Sequence, residues 1–424
     1  MMIDLIKRLY PIQRNLTGPN NLETLETIKE YLPIKITSIP SGTKVFDWIV
    51  PKEWHIKDAY IKDDSGKTIV SYKDNPLHVM AYSRKVDKTI NLEELRKNIH
   101  FIEEYPEWIP YLTTYYENNW GFCMTYNQYK HMKKGKYHVF IDAELVNGHL
   151  YYGEFKLDGT NKDSILFSTY ICHPSLYNDN LSGIAVQTEI ARSMIPMNLK
   201  KSYSFIFVPE TIGALCWLQN NINLSQSKTT DCFLGLEITC VGHGNIFTYK
   251  RPPEKYGYYD LLMEQTLKES GARFKCVDYF PWGSDERQFN SIGIGLQTMS
   301  LMRSAYLEYP EYHTSADNIE MMDAKILRSS ADMYLRFIYM LEKDKRYISN
   351  KTMGEPFLKK YGLYNKIGGV RNVDEIQKAI LWILHKSNGH YLLSEISTIS
   401  GLSFDVTKKA ADLLEKTGLI KEIT

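Results

Sequence analysis

The segment Ser164-Ile-Leu-Phe-Ser-Thr-Tyr-Ile-Cys-His173-Pro-Ser-Leu-Tyr-Asn-Asp179-Asn-Leu-Ser-Gly183 decides how the chain is read. Its first seven residues form an apolar run of the length of a buried strand. His173 follows that run and Asp179 stands six residues later. From there Ile184, Ala185, Val186, Ile190 and Ala191 recur at helical spacing. An imidazole and a carboxylate thus share the carboxyl end of a strand, the edge at which open α/β sheets place their sites. Both are zinc-ligand types.

The same alternation continues downstream. Strand-like runs at Tyr203–Val208, Cys232–Ile238 and Gly293–Met299 are interleaved with helical patterns at Ala214–Asn221, Tyr259–Ser270 and Ala324–Leu341. Upstream, Tyr137–Asp142 and Gly148–Phe155 read as strands flanking an Asn147-Gly148 turn. This predicts an α/β fold, a mostly parallel sheet sandwiched by helices. Two short helices within residues 1–32 precede it. From about Ile36 to Glu117, Gly and Pro punctuate short alternating runs, which reads as a small strand-rich module. Its His55 and His78 read as packed or surface residues. The tail carries helical patterns at Ile376–His385, Leu393–Ser400 and Phe404–Lys416 and then a short strand, an order resembling a winged helix.

At 424 residues the chain has room for two or three domains. Its 51 basic and 50 acidic side chains leave a net charge of +1, too little for a broad nucleic-acid or anionic-membrane footprint. The tail is balanced as well, with eight Lys/Arg against seven Asp/Glu over 363–424, so docking or dimerisation is expected of it rather than DNA binding. No run approaches 18 apolar residues and no signal peptide is read at the start. The six cysteines have no paired spacing and read as reduced thiols, from which a cytoplasmic location is expected.

Five polar residues fall at strand ends or in loops of the α/β section: His173, Asp179, Glu210, Glu237 and His313. Glu237 interrupts the apolar run Phe233-Leu-Gly-Leu-Glu-Ile, where an acid is costly unless it is paired or bound to a cation. Each alone reads as structural as well, and a lone strand-end carboxylate is more often a cap or an ion-pair partner. Together, two imidazoles and three carboxylates have the inventory of a zinc hydrolase. Arg287 and Arg303 are candidates to grip a carboxylate or phosphate, with surface ion pairs as the alternative. Trp120, Trp282 and Tyr312 are candidates for pocket walls or for packing.

In order, His173, Asp179-Asn-Leu-Ser-Gly, Glu210-Thr-Ile-Gly, Glu237-Ile-Thr-Cys-Val-Gly, Gly283-Ser-Asp-Glu-Arg-Gln-Phe and His313-Thr-Ser-Ala-Asp resemble the M28-type zinc aminopeptidases. The stretches Ser41-Gly-Thr-Lys-Val-Phe-Asp-Trp, Pro51-Lys-Glu-Trp, Trp120-Gly-Phe-Cys and Tyr309-Pro-Glu-Tyr-His resemble more closely the aminopeptidase-like subgroup once classed as a domain of unknown function, DUF4910. The resemblance implies a zinc exopeptidase-like domain over 1–36 and 118–360, an inserted small domain over 37–117 and a winged helix over 363–424.

It also implies roles. Asp179 would bridge two metals, His173 and Glu237 would complete one site, and His313 would belong to the other. Glu210 would be the general base, or in another register a ligand, and Asp285 would be structural or would orient a ligand. Two departures from the family pattern stand out. Its paired glutamates appear here as Glu210-Thr211, and Glu237 stands where many members have aspartate. One firmly held zinc, at His173, Asp179 and Glu237, is therefore expected, with a weak or empty second site. The implied activity is hydrolysis of a small amide or short peptide-like substrate, aminopeptidase-like or N-deacylating, with a link to polysaccharide biosynthesis. The alternative is an inactive binding or assembly protein, favoured by Thr211 and the tail. Self-association would use the insert or the C-terminal domain.

Overall fold

The computed structural model describes residues 1–161, 164–221, 232–364 and 374–423. Two compact units are distinguished, Met1–Lys255 with Arg273–Ala331, and Tyr256–Ala272 with Asp332–Thr424. The first is built on an eight-stranded sheet. Its spatial order is Lys35–Pro40, His149–Leu157, Ser202–Val208, Ser164–Tyr170, Cys232–Glu237, Thr298–Met302, Phe247–Lys250 and Phe274–Val277. Four of the seven neighbouring pairs run parallel, and the antiparallel pairs lie toward the two edges. All seven residues of Ser164–Tyr170 are buried, as a strand covered on both faces requires. Helix Ser182–Met194 packs against that strand and against Ser202–Val208.

The sequence reading misplaces one strand. It expects Gly293–Met299, whereas the strand is Thr298–Met302, buried at every position. Ser291–Gly295 instead forms turns, with the Ile294 and Gly295 amides both donating to Ser291 O.

A second, antiparallel sheet of four strands has the order Thr68–Ser71, Glu53–Asp63, Lys136–Val146, Val86–Asn91. Its strand Lys136–Val146 lies outside the 37–117 segment that the sequence reading assigns to the small domain. The Asn147-Gly148 turn is also not a hairpin. The strand before it belongs to the small sheet and the strand after it to the large one. The chain crosses between sheets here because Gly148 is locked to neighbours on other segments. Its amide donates to Ser41 Oγ at 3.1 Å, and its carbonyl accepts from the Ser41 amide at 2.8 Å. A Cβ on Gly148 would lie 2.1 Å from Glu53 Cδ, and the Glu53 carboxylate accepts the His149 amide at 2.7 Å.

The second unit contains a three-stranded sheet, Asn388–Leu392, Arg346–Ser349 and Ile420–Ile423, with helices Glu375–Lys386, Leu393–Ser400 and Phe404–Lys416. Arg346–Ser349 pairs with both other strands, so this sheet recruits chain from before the 363 boundary read in the sequence. Part of the 363–424 segment, residues 365–373 and Thr424, lies outside the described residues. Among the described residues no helix is long and apolar enough to cross a membrane.

Candidate metal centre

Beyond Tyr170 the chain leaves the sheet, and His173 is held over the strand end by its own backbone. The buried Arg14 guanidinium donates from Nη2 to His173 O at 2.7 Å. Asp179 sits in an irregular turn, Tyr177–Leu181, that leads into helix Ser182–Met194. Three contacts fix that turn. Asn180 Nδ2 donates to Thr169 Oγ1 at 2.9 Å and to Tyr170 O at 3.1 Å. Asp317 accepts the amides of Asn178 and Asp179 at 2.6 and 3.0 Å. Gly183 lets the turn approach the neighbouring strand, since a Cβ there would lie 2.4 Å from Ile238 O.

His313 arrives from a distant loop, with a positive φ of 54°. Its carbonyl accepts the Tyr111 amide at 2.7 Å, and the Tyr312 ring stacks on its imidazole at 4.0 Å. The metal-ligating atoms of His173, Asp179 and His313 all lie within 4.8 Å of one another. His313 Nε2 is 2.9 Å from Asp179 Oδ2, yet neither atom has hydrogen-bond geometry to any partner among the described residues. His173 Nε2 is 3.7 Å from Glu210 Oε2. Three protein donors of N, N and O type with a carboxylate beside them fit a catalytic zinc site, which keeps a coordination position open. The unsatisfied buried atoms are what a cation would satisfy.

The electrostatics agree with that donor set. Burial drives the His173 imidazole down to about 4, so it is neutral near pH 7 and able to ligate. Burial pushes Asp179 up, but the charges of His173 and His313 outweigh it and hold the carboxyl at about 2. Burial pulls His313 down, and its contact with Asp179 more than reverses this, leaving it raised. Burial and then the Asp179 charge push Glu210 up to about 7. Tyr170 donates its hydroxyl to Asp179 Oδ1, leaving Oδ2 to face the histidines.

The remaining sequence candidates fall elsewhere. Glu237 is fully buried at the end of its strand, and neither oxygen has a hydrogen-bond partner among the described residues. It is not part of the close His173–Asp179–His313 group. Burial, then the charges of Asp285 and Glu286, raise its carboxyl well above the ordinary range. Asp285 accepts the Thr211 amide at 2.6 Å, which helps to hold Thr211 at a φ of 62°. Arg287 lines the same cavity as His173, Glu210 and His313. Arg303 does not. Its guanidinium lies 3.8 Å over the Phe247 ring and donates to Ser330 Oγ at 3.1 Å. Trp120 is core of the small sheet and Trp282 is half exposed, and neither lines the cavity.

Sequence reasoning missed Arg14, Tyr170, Asp317 and Tyr111. The Tyr111 ring stands edge-on to both imidazoles, at 5.4 Å from His173 and 5.2 Å from His313. Asp317, in the quoted His313-Thr-Ser-Ala-Asp motif, carried the only usable signal of the four.

Comparison with known proteins gives consistent findings. The family model described as "Domain of unknown function (DUF4910)" matches residues 3–344, and a winged helix-turn-helix model matches 345–422. A relative from Clostridium acetobutylicum, named "Putative polysaccharide biosynthesis protein with aminopeptidase-like domain", is 43% identical over 418 residues, 99% of this chain and 95% of its own. A crystal structure of a "putative peptidase" from the same organism aligns with a TM-score of 0.92 at 42% identity, over 100% of this chain and 96% of that one. BSAP, a zinc aminopeptidase from Bacillus subtilis, aligns over 80% of this chain and 94% of its own, with a TM-score of 0.59 at 12% identity, a likeness of fold.

Proposed function

The chain belongs to the DUF4910 family, with a winged helix-turn-helix behind it, and from that premise we propose that it is a zinc-dependent hydrolase of a small amide, aminopeptidase-like or N-deacylating. The observation that carries the reading is the convergence of His173, Asp179 and His313 beside Glu210. These three residues would hold the metal. Bound zinc supplies Lewis acidity toward a carbonyl and toward water.

The protein's own residues do the rest. Glu210, raised to about 7, takes a proton from the attacking water and returns it to the leaving nitrogen. Tyr170 and Asp317 fix the orientation of Asp179, and Arg14 fixes the backbone of His173. The polysaccharide link rests on the name of the Clostridium relative. Thr211, in the place of a family glutamate, favours a second reading, a binding protein that kept the fold.

Metal content on protein purified without chelator, followed by an amide-substrate panel with added zinc, cobalt or manganese, separates the two. One metal per chain with metal-dependent cleavage is expected. Silence on every substrate at every metal moves the assignment to the binding protein.

A further inference from the structure

The cavity in front of the metal-site residues has a volume of about 470 Å³, enough for a small ligand. Its walls come from both parts of the first unit. Trp48, Leu112 and Tyr116 supply an apolar mouth, with Trp48 and Tyr116 in edge contact at 5.8 Å. Among the described residues lining it, Glu210 is the one carboxylate and Arg287 the one arginine or lysine. With Glu210 committed to proton transfer, no acid remains in the lining to hold a substrate ammonium.

Arg287 is half-buried, and among the described residues no carboxylate lies within ion-pair distance of it. Among the described residues its five N–H donors make one bond, from Nη2 to Thr211 Oγ1 at 3.1 Å, and the buried Nε makes none. Its position is fixed from behind. The preceding residue, Glu286, forms an ion pair with Lys250 at 2.6 Å in which both side chains are 1% exposed. Glu286 also accepts the Tyr306 hydroxyl at 3.1 Å. A guanidinium held this way, with donors to spare in a partly desolvated cavity, is suited to a planar oxyanion.

We propose that Arg287, oriented by Thr211, is the specificity residue for a carboxylate beside the scissile amide, so that the substrate is an N-acylated amino acid rather than a compound with a free α-amine. The assignment rests on the amide-hydrolase reading and narrows it. Thr211 on this account is the residue that aims Arg287, a task a glutamate there could not share without neutralising the arginine.

The probes are N-acetyl-L-phenylalanine, N-acetyl-L-phenylalaninamide and L-phenylalaninamide. They are titrated calorimetrically into the full chain, metal-free and zinc-loaded, and assayed for cleavage. The carboxylate probe is expected to bind roughly ten- to a hundredfold tighter than its carboxamide. Arg287→Gln should remove that gap, Arg287→Lys should keep part of it, and Thr211→Val should narrow it, with circular dichroism confirming that each variant is folded. Equal binding of carboxylate and carboxamide overturns the subsite. So does a preference for the free amine, binding of none of the probes, or a gap that survives Arg287→Gln. Carboxylate selectivity without metal-dependent cleavage of any probe leaves the subsite standing and overturns the hydrolase reading. Cleavage indifferent to the carboxylate does the reverse.

Discussion

His313 Nε2 and Asp179 Oδ2 stand 2.9 Å apart at the end of the sheet, and neither is hydrogen-bonded among the described residues. With His173 they form one donor group.

Removal of any one of these three donors should release the metal. His173→Ala, Asp179→Asn and His313→Ala are each expected to weaken binding by more than the roughly 10–100-fold that outer-shell changes cost. Glu237→Gln should retain it. Elemental analysis after dialysis reads this directly, and loss of metal from Glu237→Gln would return that residue to the ligand set.

Glu210→Gln keeps the shape of the site and removes its proton acceptor. Turnover should fall by about 10²–10⁴ with metal content unchanged. A kcat equal to that of the unmodified enzyme would take Glu210 out of the mechanism.

The metal-free protein should become more stable as pH falls from about 8 toward 6.5. Burial raises Glu210 from 4.5 to about 7 and Asp317 from 3.8 to about 7. The folded state therefore holds protons that the unfolded state has released, and this stability is lost as pH rises through the folded values. Below 6.5, His173 works the other way, because burial lowers it to about 4 and unfolding lets it charge. Thermal melts in chelator at fixed ionic strength should show the upper slope, and Glu210→Gln or Asp317→Asn should flatten it. A melting temperature that climbs with pH over this range contradicts the assignment.

Gly183→Ala should destabilise the fold by about 1–3 kcal/mol, the usual cost of overpacking. The new Cβ would meet Ile238 O at 2.4 Å, a backbone atom with little freedom to move, and Asn180 Oδ1 at 2.3 Å. The Asp179 turn should shift with it, so metal affinity is expected to fall together with the melting temperature. Unchanged values of both would mean that the turn relaxes freely.

Much of the large sheet was legible because its strands are continuous apolar runs and the segments between them carry apolar residues at helical spacing. Ser164–Tyr170 and Ser182–Met194 stand almost where the pattern puts them. Periodicity does not name a strand's partner, however. Tyr137–Asp142 was readable as part of a strand, but its place beside Glu53–Asp63 was not. The Asn147-Gly148 pair looks like a hairpin locally and is a crossover because Ser41 and Glu53 hold it.

The sequence by itself determined the local unit of the site: a buried strand, His173 at its end, Asp179 six residues on and a helix behind. Short-range spacing and burial are enough to specify these. Tertiary structure alone decided that His313 comes within reach of both His173 and Asp179, that Tyr111 lies against both imidazoles and that Arg287 faces the same cavity. Those choices depend on loops meeting across long separations in the chain, and the bonds that fix them, Tyr111 amide to His313 carbonyl and Arg287 to Thr211, leave no periodic trace in the sequence.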